Sequence, residues 1–537
     1  VMGVEIDPSL DYRHWRKDFA SVFPAIHSSF YAYSKRDDVF QAIKEHGFRS
    51  FDQFNYLSDE GLFRYDAALY SAGGVSSLDV ERSLVNDAPL YRRRKDTTII
   101  SDSGGFQVYQ GIWTPDEYHG KRAEILAWQE AISDIAIAMD VPTGSVHSDK
   151  ADCIDSFEEC LTWTKLNCDW LIQNRDPSKA RMLNVMQGLS VDGPDGALAW
   201  YEAIKGYCDR GKWGEQAFDG WAFGGMAVRN RSAILRSIAR MLRDGVLGPD
   251  SNQRWVHMLG ITGPEDVAFF TLLQRALRKV LKDDGFTVSC DASNPNSEMG
   301  KRRQYYAEGA QGIKLRKALE MEFFDYHGGD APDLAQYVRD WVGMHPDALT
   351  FDIGWFRDHM GLLDWDFDLS RCAEDDEIEI GAEFVQDSPE FLLAAYDRLV
   401  EVPDFKTFAV ERLNAHPGFT EFVLDRVVES AKALGTSALA EHLTTENYWK
   451  LVEMRSPKSS AAAATDDDAD EDDGTRPDRL TPMGYIVHTC ISQEMYLRYT
   501  YEGAAAEIEK WPGLADELAE ALVSETPDTK LSTLFVP

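Results

Sequence analysis

Six short apolar runs within the first 300 residues each stop on a polar residue or a turn of backbone: TTIIS before Asp102, IAIAM before Asp140, MLNVM before Gln187, GWAF before Gly224, WVHM before Leu259 and Gly260, and FTVSC before Asp291. If these stops converge, three carboxylates share one pocket. Packed carboxylates cannot all ionise cheaply, so their proton affinities separate, and one can act as acid or base while another stays a nucleophile. A plainer role competes with this one, because an Asp at the end of a strand commonly caps the helix that follows. That role explains a single Asp better than it explains the whole set.

Glycines sharpen the chemistry. SDSGGFQV, Ser101 to Val108, sets two glycines directly after Asp102, where backbone can approach a ligand closely and Phe106 can stack on it. FGGMAV, Phe223 to Val228, repeats the device and offers backbone N–H groups as donors to a planar carbonyl. Carboxylate and amide beside exposed backbone suit a purine, since guanine presents N1–H and N2–H₂ donors next to an O6 acceptor. Both glycine pairs also suit ordinary tight turns.

The stops lie 38, 47, 37, 35 and 32 residues apart, and each interval holds a strand, a helix and two loops. Amphipathic segments such as KRAEILAWQEAI, SFEECLTWTKL, RSAILRSIARMLRD and PEDVAFFTLLQRALRKVL fill the gaps. Such a chain predicts either an open doubly wound sheet or a closed parallel barrel. AALYSAG, near Ala67 to Gly73, is a further strand candidate, and Gly312 to Leu315 another. Seven or eight strands favour a (β/α)8 TIM barrel over roughly Phe19 to Leu319, with all stops on the rim at the strands' carboxyl ends.

The expected organisation is a barrel with an N-terminal extension over residues 1–330, a helical accessory region over 331–460, an acidic disordered linker over 461–478, and a small helical tail over 479–537. AAAATDDDADEDDGTRPD, Ala461 to Asp478, carries the linker assignment. The 537 residues are 44% hydrophobic and 27% charged, a soluble globular balance with no run long enough for a membrane helix. With no secretory pattern at the N-terminus, the expected location is cytoplasmic. Seven cysteines include no CxxC or CxC pair, so neither a compact zinc site nor a redox dithiol is read from them. Cys153, Cys160 and Cys168 are expected to be buried thiols on one helix. The net charge of −36 opposes a polyanionic partner unless basic residues gather locally. Candidate gatherings are Arg92 to Lys95, Lys301 to Arg303, and Lys314 with Arg316 and Lys317, each of which also reads as a solvated face.

SDSGGFQV, NVMQG, GWAFGGMAV, HMLGITGPEDV and the acidic stop in SCDAS, in this order over Leu69 to Ser297, resemble the tRNA-guanine transglycosylases and their DNA-acting relatives. The resemblance implies a TIM barrel that exchanges guanine in a polynucleotide for a free 7-deazaguanine base such as preQ0, by covalent double displacement and without a cofactor. It implies Asp291 as nucleophile and Asp102 as second catalytic carboxylate. Asp140, Gln187 and Gly225 would read the base, Phe106 and Leu259 would sandwich it, and Ser103, Gly224 and Gly260 would complete the pocket.

Three departures move the expected substrate from tRNA to DNA. The tRNA enzymes carry a CxCxxC zinc site with a distant His, whereas only Cys372 and Cys490 follow Asp291 here. After Asp291 the chain reads ASNPNSEMGKRRQYY, not a close copy of the bacterial pattern. The long stretch beyond Asp330 has no counterpart in the minimal tRNA enzyme. The expected activity is therefore a DNA-guanine transglycosylase of the bacterial and phage type, in the host cytoplasm if viral. A tRNA-acting enzyme, a catalytically silent nucleic-acid-binding paralogue and a glycoside hydrolase are the alternatives, and a homodimer is left open.

Overall fold

The computed structural model describes residues 11–292 apart from 46, 76, 149, 152, 153, 191 and 192, together with 304–309, 312–317, 454–455, 479–480 and 482–524. Eight strands form one parallel sheet: β1 (Ser21–Pro24), β2 (Ala67–Ser71), β3 (Thr98–Asp102), β4 (Ile135–Ile137), β5 (Arg181–Met186), β6 (Gly220–Phe223), β7 (Trp255–Met258) and β8 (Thr287–Ala292). Neighbours in sequence pair in space from β2 to β8, and β1 pairs with β8 from Ser21↔Ser289 to Pro24↔Ala292. On its other side β1 reaches β2 through the Ala25↔Leu69 bridge, where the Ile26 N–H donates to the Leu69 carbonyl at 2.9 Å. The sheet thus closes into a (β/α)8 barrel.

Near-continuous burial of these strands explains why short apolar runs, rather than alternating ones, make them. Between them run α1 (Asp37–Glu45), α2 (Val80–Asn86), α3 (Arg122–Ile132), α4 (Phe157–Asn174), α5 (Ala197–Ile204), α6 (Arg231–Arg243) and α7 (Pro264–Leu281). Their starts are locally encoded. Ser156 caps α4 by accepting from the Glu159 N–H, Asn230 caps α6 by accepting from Ser232 and Ala233, and Pro264 opens α7 ahead of Glu265 and Asp266. Trp128, Trp200 and Trp221 are fully buried in the core, and the Trp200 indole N–H donates to the Val185 carbonyl at 2.8 Å.

Two sequence expectations change. The strand that completes the barrel is β1, which lies upstream of the runs read above; Gly312–Lys317 instead pairs antiparallel with Gln304–Gly309 in a hairpin outside the barrel. Four residues including a proline carry too little pattern to reveal β1. The basic run Arg92 to Lys95 is not a plain solvated face either. Arg94 is buried and donates to the carbonyls of Tyr56, Ser58 and Tyr65, and Arg93 donates to Thr97 and pairs with Asp134. This run precedes β3, at the opposite end of the strand from Asp102, and serves the fold.

The C-terminal helical region, α8 (Pro482–Glu509) and α9 (Leu514–Leu522), packs on the barrel rather than standing apart as a tail. α8 lies against α7 on one side and against α1 and the short helix Ser28–Tyr33 on the other. Ile486, Cys490, Leu497, Tyr501 and Ala504, spaced three, four or seven residues apart, are buried in this seam. Tyr501 joins the two ends of the chain: its hydroxyl accepts from the Val22 N–H at 2.9 Å and lies 2.7 Å from the Tyr65 hydroxyl, which itself donates to the Val22 carbonyl at 2.6 Å. Nearby, the Tyr12 hydroxyl donates to Glu494 Oε1 at 2.9 Å.

Apart from Met454–Arg455, which pairs with Arg479–Leu480, the regions assigned to the accessory helices and the acidic linker lie outside the described residues. Cys153 does as well. Cys160 and Cys168 are buried in α4, where burial raises both thiols, Cys160 to about 12. Among the described residues no helix is long and apolar enough to cross a membrane.

Tyr501→Phe removes the side-chain acceptor of the buried Val22 N–H while keeping the ring. Urea unfolding should show a loss of about 1–3 kcal/mol, the cost of leaving a buried donor unsatisfied. An unchanged midpoint and slope would show that the Val22 contact does not hold α8 to the barrel.

Candidate active site

Parallel closure puts every strand's carboxyl end on the same rim, and Asp102 is the last residue of β3 while Asp291 is the penultimate residue of β8. The Asp102 carboxylate accepts from the Ser71 hydroxyl at 2.9 Å, and the nearby backbone N–H groups of Ser103 and Gly104 favour its charged form. Burial raises its pKa above the usual carboxylate range; these hydrogen bonds oppose the rise, and the charge of Asp291 adds to it. The two carboxylates therefore face one region of space.

Asp291 is held differently. Its Oδ1 accepts from the Gly260 N–H at 2.8 Å, and the same oxygen lies 3.3 Å from Nε2 of the fully buried His257. Gly260, with φ +66°, turns the loop after β7 so that its amide points at the carboxylate.

Asp140 and Gln187 form the third part. Asp140, three residues beyond β4, is buried and accepts from Gln187 Nε2 at 2.7 Å. Burial pushes its pKa up to about 7; the Gln187 hydrogen bond opposes the rise and the charge of Asp102 reinforces it. Glycines let backbone close on this pair. A Cβ at Gly224 would lie 2.7 Å from Gln187 Nε2, and one at Gly225, whose φ is +54°, would lie 2.5 Å from Gln187 Oε1. On the other side a Cβ at Gly105 would lie 2.8 Å from the Asp140 carbonyl oxygen. No side chain larger than hydrogen fits at these three positions without displacing the pair.

Asp102, Asp140, Gln187, Gly224, Gly225, Leu259, Gly260 and Asp291 thus all gather at one rim, as the strand-end pattern predicts. Several expected contacts have other owners. The Ser103 hydroxyl accepts from Tyr118 at 2.8 Å and donates to the Ala138 carbonyl at 3.3 Å, so its hydrogen is already committed within the wall. The Gly224 N–H donates to the Met186 carbonyl as part of the sheet, and the Gly260 N–H serves Asp291. Phe106 is 58% exposed and stacks on Tyr109 at 5.4 Å, which places it at the mouth; Leu259 is half-buried beside Gly224.

Ser71 and His257 are missing from the sequence reading. Ser71 obeys the same strand-end rule as the last residue of β2. His257 lies inside a strand, where apolar neighbours hide it. Among the described residues no group of three His, Cys, Asp or Glu side chains is arranged to hold a metal ion.

Neither protein-family models nor curated proteins match this chain. The three carboxylates of the rim differ in partner and environment: Asp102 on a hydroxyl and two amides, Asp140 on a buried carboxamide, Asp291 on one amide with an imidazole beside it.

Because Asp140 goes from an ordinary 3.8 to about 7 on folding, the folded state holds its proton more tightly than the unfolded one. Its contribution to stability is then greatest at acid pH and declines as pH rises through that interval. Asp140→Asn should remove this decline. Urea titrations at pH 5 and pH 8 should show the mutant gaining on the wild type at the higher pH; parallel stabilities at both would refute the raised pKa.

Proposed function

We propose that this protein is a base-exchange transglycosylase that replaces guanine in DNA with a 7-deazaguanine base. The observation that carries the proposal is the pair Asp102 and Asp291 on one rim with the buried Asp140–Gln187 unit beside it: two carboxylates for displacement at a sugar carbon and an amide–carboxylate edge for a purine.

In this reading an ionised Asp140 accepts from guanine N1–H and N2–H₂, which adenine cannot match. Asp291 attacks C1′ from the face opposite the base. The C1′–N9 bond breaks with its electrons leaving on guanine, which takes a proton from Asp102, and a glycosyl ester to Asp291 remains. After guanine departs, the 7-deazaguanine gives its N9 proton to Asp102 and attacks C1′, releasing the Asp291 carboxylate. Two inversions retain the β configuration. Raising the pKa of Asp102 suits this double duty, because a carboxyl that holds its proton less loosely serves as acid and then as base.

Deoxyribose lacks the electron-withdrawing 2′-hydroxyl, so positive charge at C1′ develops more readily on DNA. The missing CxCxxC cluster favours a polynucleotide other than tRNA, and the basic residues Lys301 to Arg303, Lys314, Arg316 and Lys317, which come after β8 in the chain, suit a polyanion of either kind.

Incubation with radiolabelled guanine and, separately, duplex DNA, single-stranded DNA and bulk tRNA tests the reading. Label should enter DNA; label entering tRNA alone would identify the tRNA-acting alternative. Asp291→Ala should abolish exchange and any denaturant-resistant protein–DNA adduct, whereas Asp291→Asn should still bind DNA. An adduct formed by Asp291→Ala and lost in Asp102→Ala would reverse the two roles. Asp140→Asn, which puts a donor against a donor, should weaken free-guanine binding by about 1–3 kcal/mol, measured by equilibrium dialysis.

A further inference from the structure

Among the described residues at the rim, His257 has a position that the base-exchange chemistry above leaves unexplained. Its side chain is fully buried. Phe23 meets the imidazole edge to face, with ring centroids 6.0 Å apart and an angle of 90° between the planes, and Phe23 also contacts Trp255 at 6.2 Å. The ring is therefore fixed from the side as well as at Nδ1.

The two ring nitrogens have distinct neighbours. Nδ1 lies 2.8 Å from the Ser289 hydroxyl oxygen, and that oxygen accepts from the Trp255 indole N–H at 2.8 Å. With an indole N–H already directed at the serine oxygen, the serine's own hydrogen is free to point at Nδ1. Nδ1 then accepts, and in the neutral ring the proton belongs to Nε2. Nε2 faces Asp291 Oδ1 at 3.3 Å, off the line of a straight hydrogen bond, and Gly260 donates to that same oxygen. Contacts of this kind tighten when substrate binds.

We propose that His257, its tautomer set by Trp255 and Ser289, is a positioning residue that together with the Gly260 amide fixes Oδ1 of Asp291 and leaves Oδ2 as the atom that attacks the sugar. The inference rests on the transglycosylase reading. A carboxylate free to rotate offers either oxygen in many directions; one held through Oδ1 presents Oδ2 along a single line. Holding Oδ1 with two N–H groups also keeps the charge of the displaced carboxylate solvated by protein once the ester is broken.

The test uses the full-length chain and three variants, H257F, H257Q and S289A, each first checked for cooperative unfolding. Single-turnover formation of the adduct on labelled DNA should slow about 100-fold in H257F, the size expected when a reacting group loses its alignment, while the dissociation constant for DNA stays the same. H257Q, which restores an N–H donor without a ring, should recover most of that rate. A wild-type rate in H257F, or no recovery in H257Q, overturns the proposal.

A second readout needs no activity. Spectra of ¹⁵N-histidine-labelled protein, with the His257 signals assigned by their loss in H257Q, should show a neutral ring protonated on Nε2 in the wild type, with the tautomer preference relaxed in S289A. Protonation on Nδ1 would overturn the proposal whatever the rates. If the wild type exchanges no base into DNA or tRNA, the reading of the activity fails, and the spectra alone decide whether His257 presents Nε2–H to Asp291.

Discussion

Closure of a parallel sheet is the constraint on which everything else in this structure depends. A parallel strand can be followed by another only after a crossover, and when eight of them close, all carboxyl ends must emerge on one rim. Residues separated by 189 positions, Asp102 and Asp291, then share a site without any local motif joining them. The closing contacts are modest: β1 has four residues, and its link to β2 is a single bridge. What secures β1 is packing from outside, where Tyr501 supplies an acceptor for Val22 and Tyr65 completes the bonding of the same residue.

The rim uses burial to separate carboxylates that are chemically alike. Asp140 is pushed up to about 7 because little but a carboxamide compensates its loss of water. Asp102 is also raised, yet it has a hydroxyl and two amides to share its charge. Each carboxylate also acts on its neighbours, since Asp291 raises Asp102 and Asp102 raises Asp140. Protonating Asp102 therefore changes how tightly Asp140 holds its own proton. Glycines 105, 224 and 225 are the steric side of the same design, allowing backbone to lie against the Asp140–Gln187 pair where a methyl group would collide.

Much of this was legible in the sequence because a buried parallel strand leaves a plain trace: an apolar run with an abrupt polar stop. That trace located Asp102, Asp140, Gln187 and Asp291, and the intervals between stops indicated the barrel. It failed where pattern is thin or where partners are remote. β1 is too short to stand out, whereas the strand candidate at Gly312 to Leu315 does form a strand, but in a hairpin apart from the eight-stranded sheet. The bonds that Ser103 makes to Tyr118 and Ala138, and Gly260 to Asp291, were not legible, because only the folded chain brings those partners near. His257 is hidden because its hydrogen-bond partner at Nδ1 is Ser289, one strand away in space and 32 residues on in sequence.

The bond between Val22 and Tyr501 spans 479 residues, which makes it among the most expensive contacts in the molecule to form, in loop-closure terms. A growing chain emerging from the ribosome can pair β2 through β8 as each appears, but the outer stave that braces β1 arrives only after nearly nine-tenths of the sequence has been made. Until then Val22 lacks its Tyr501 partner, and among the described residues the seam beside β1 lacks α8. Assembly of the rim is in this way tied to the arrival of α8, so that a product terminated before Pro482 lacks the brace for the strand that carries Phe23 against His257.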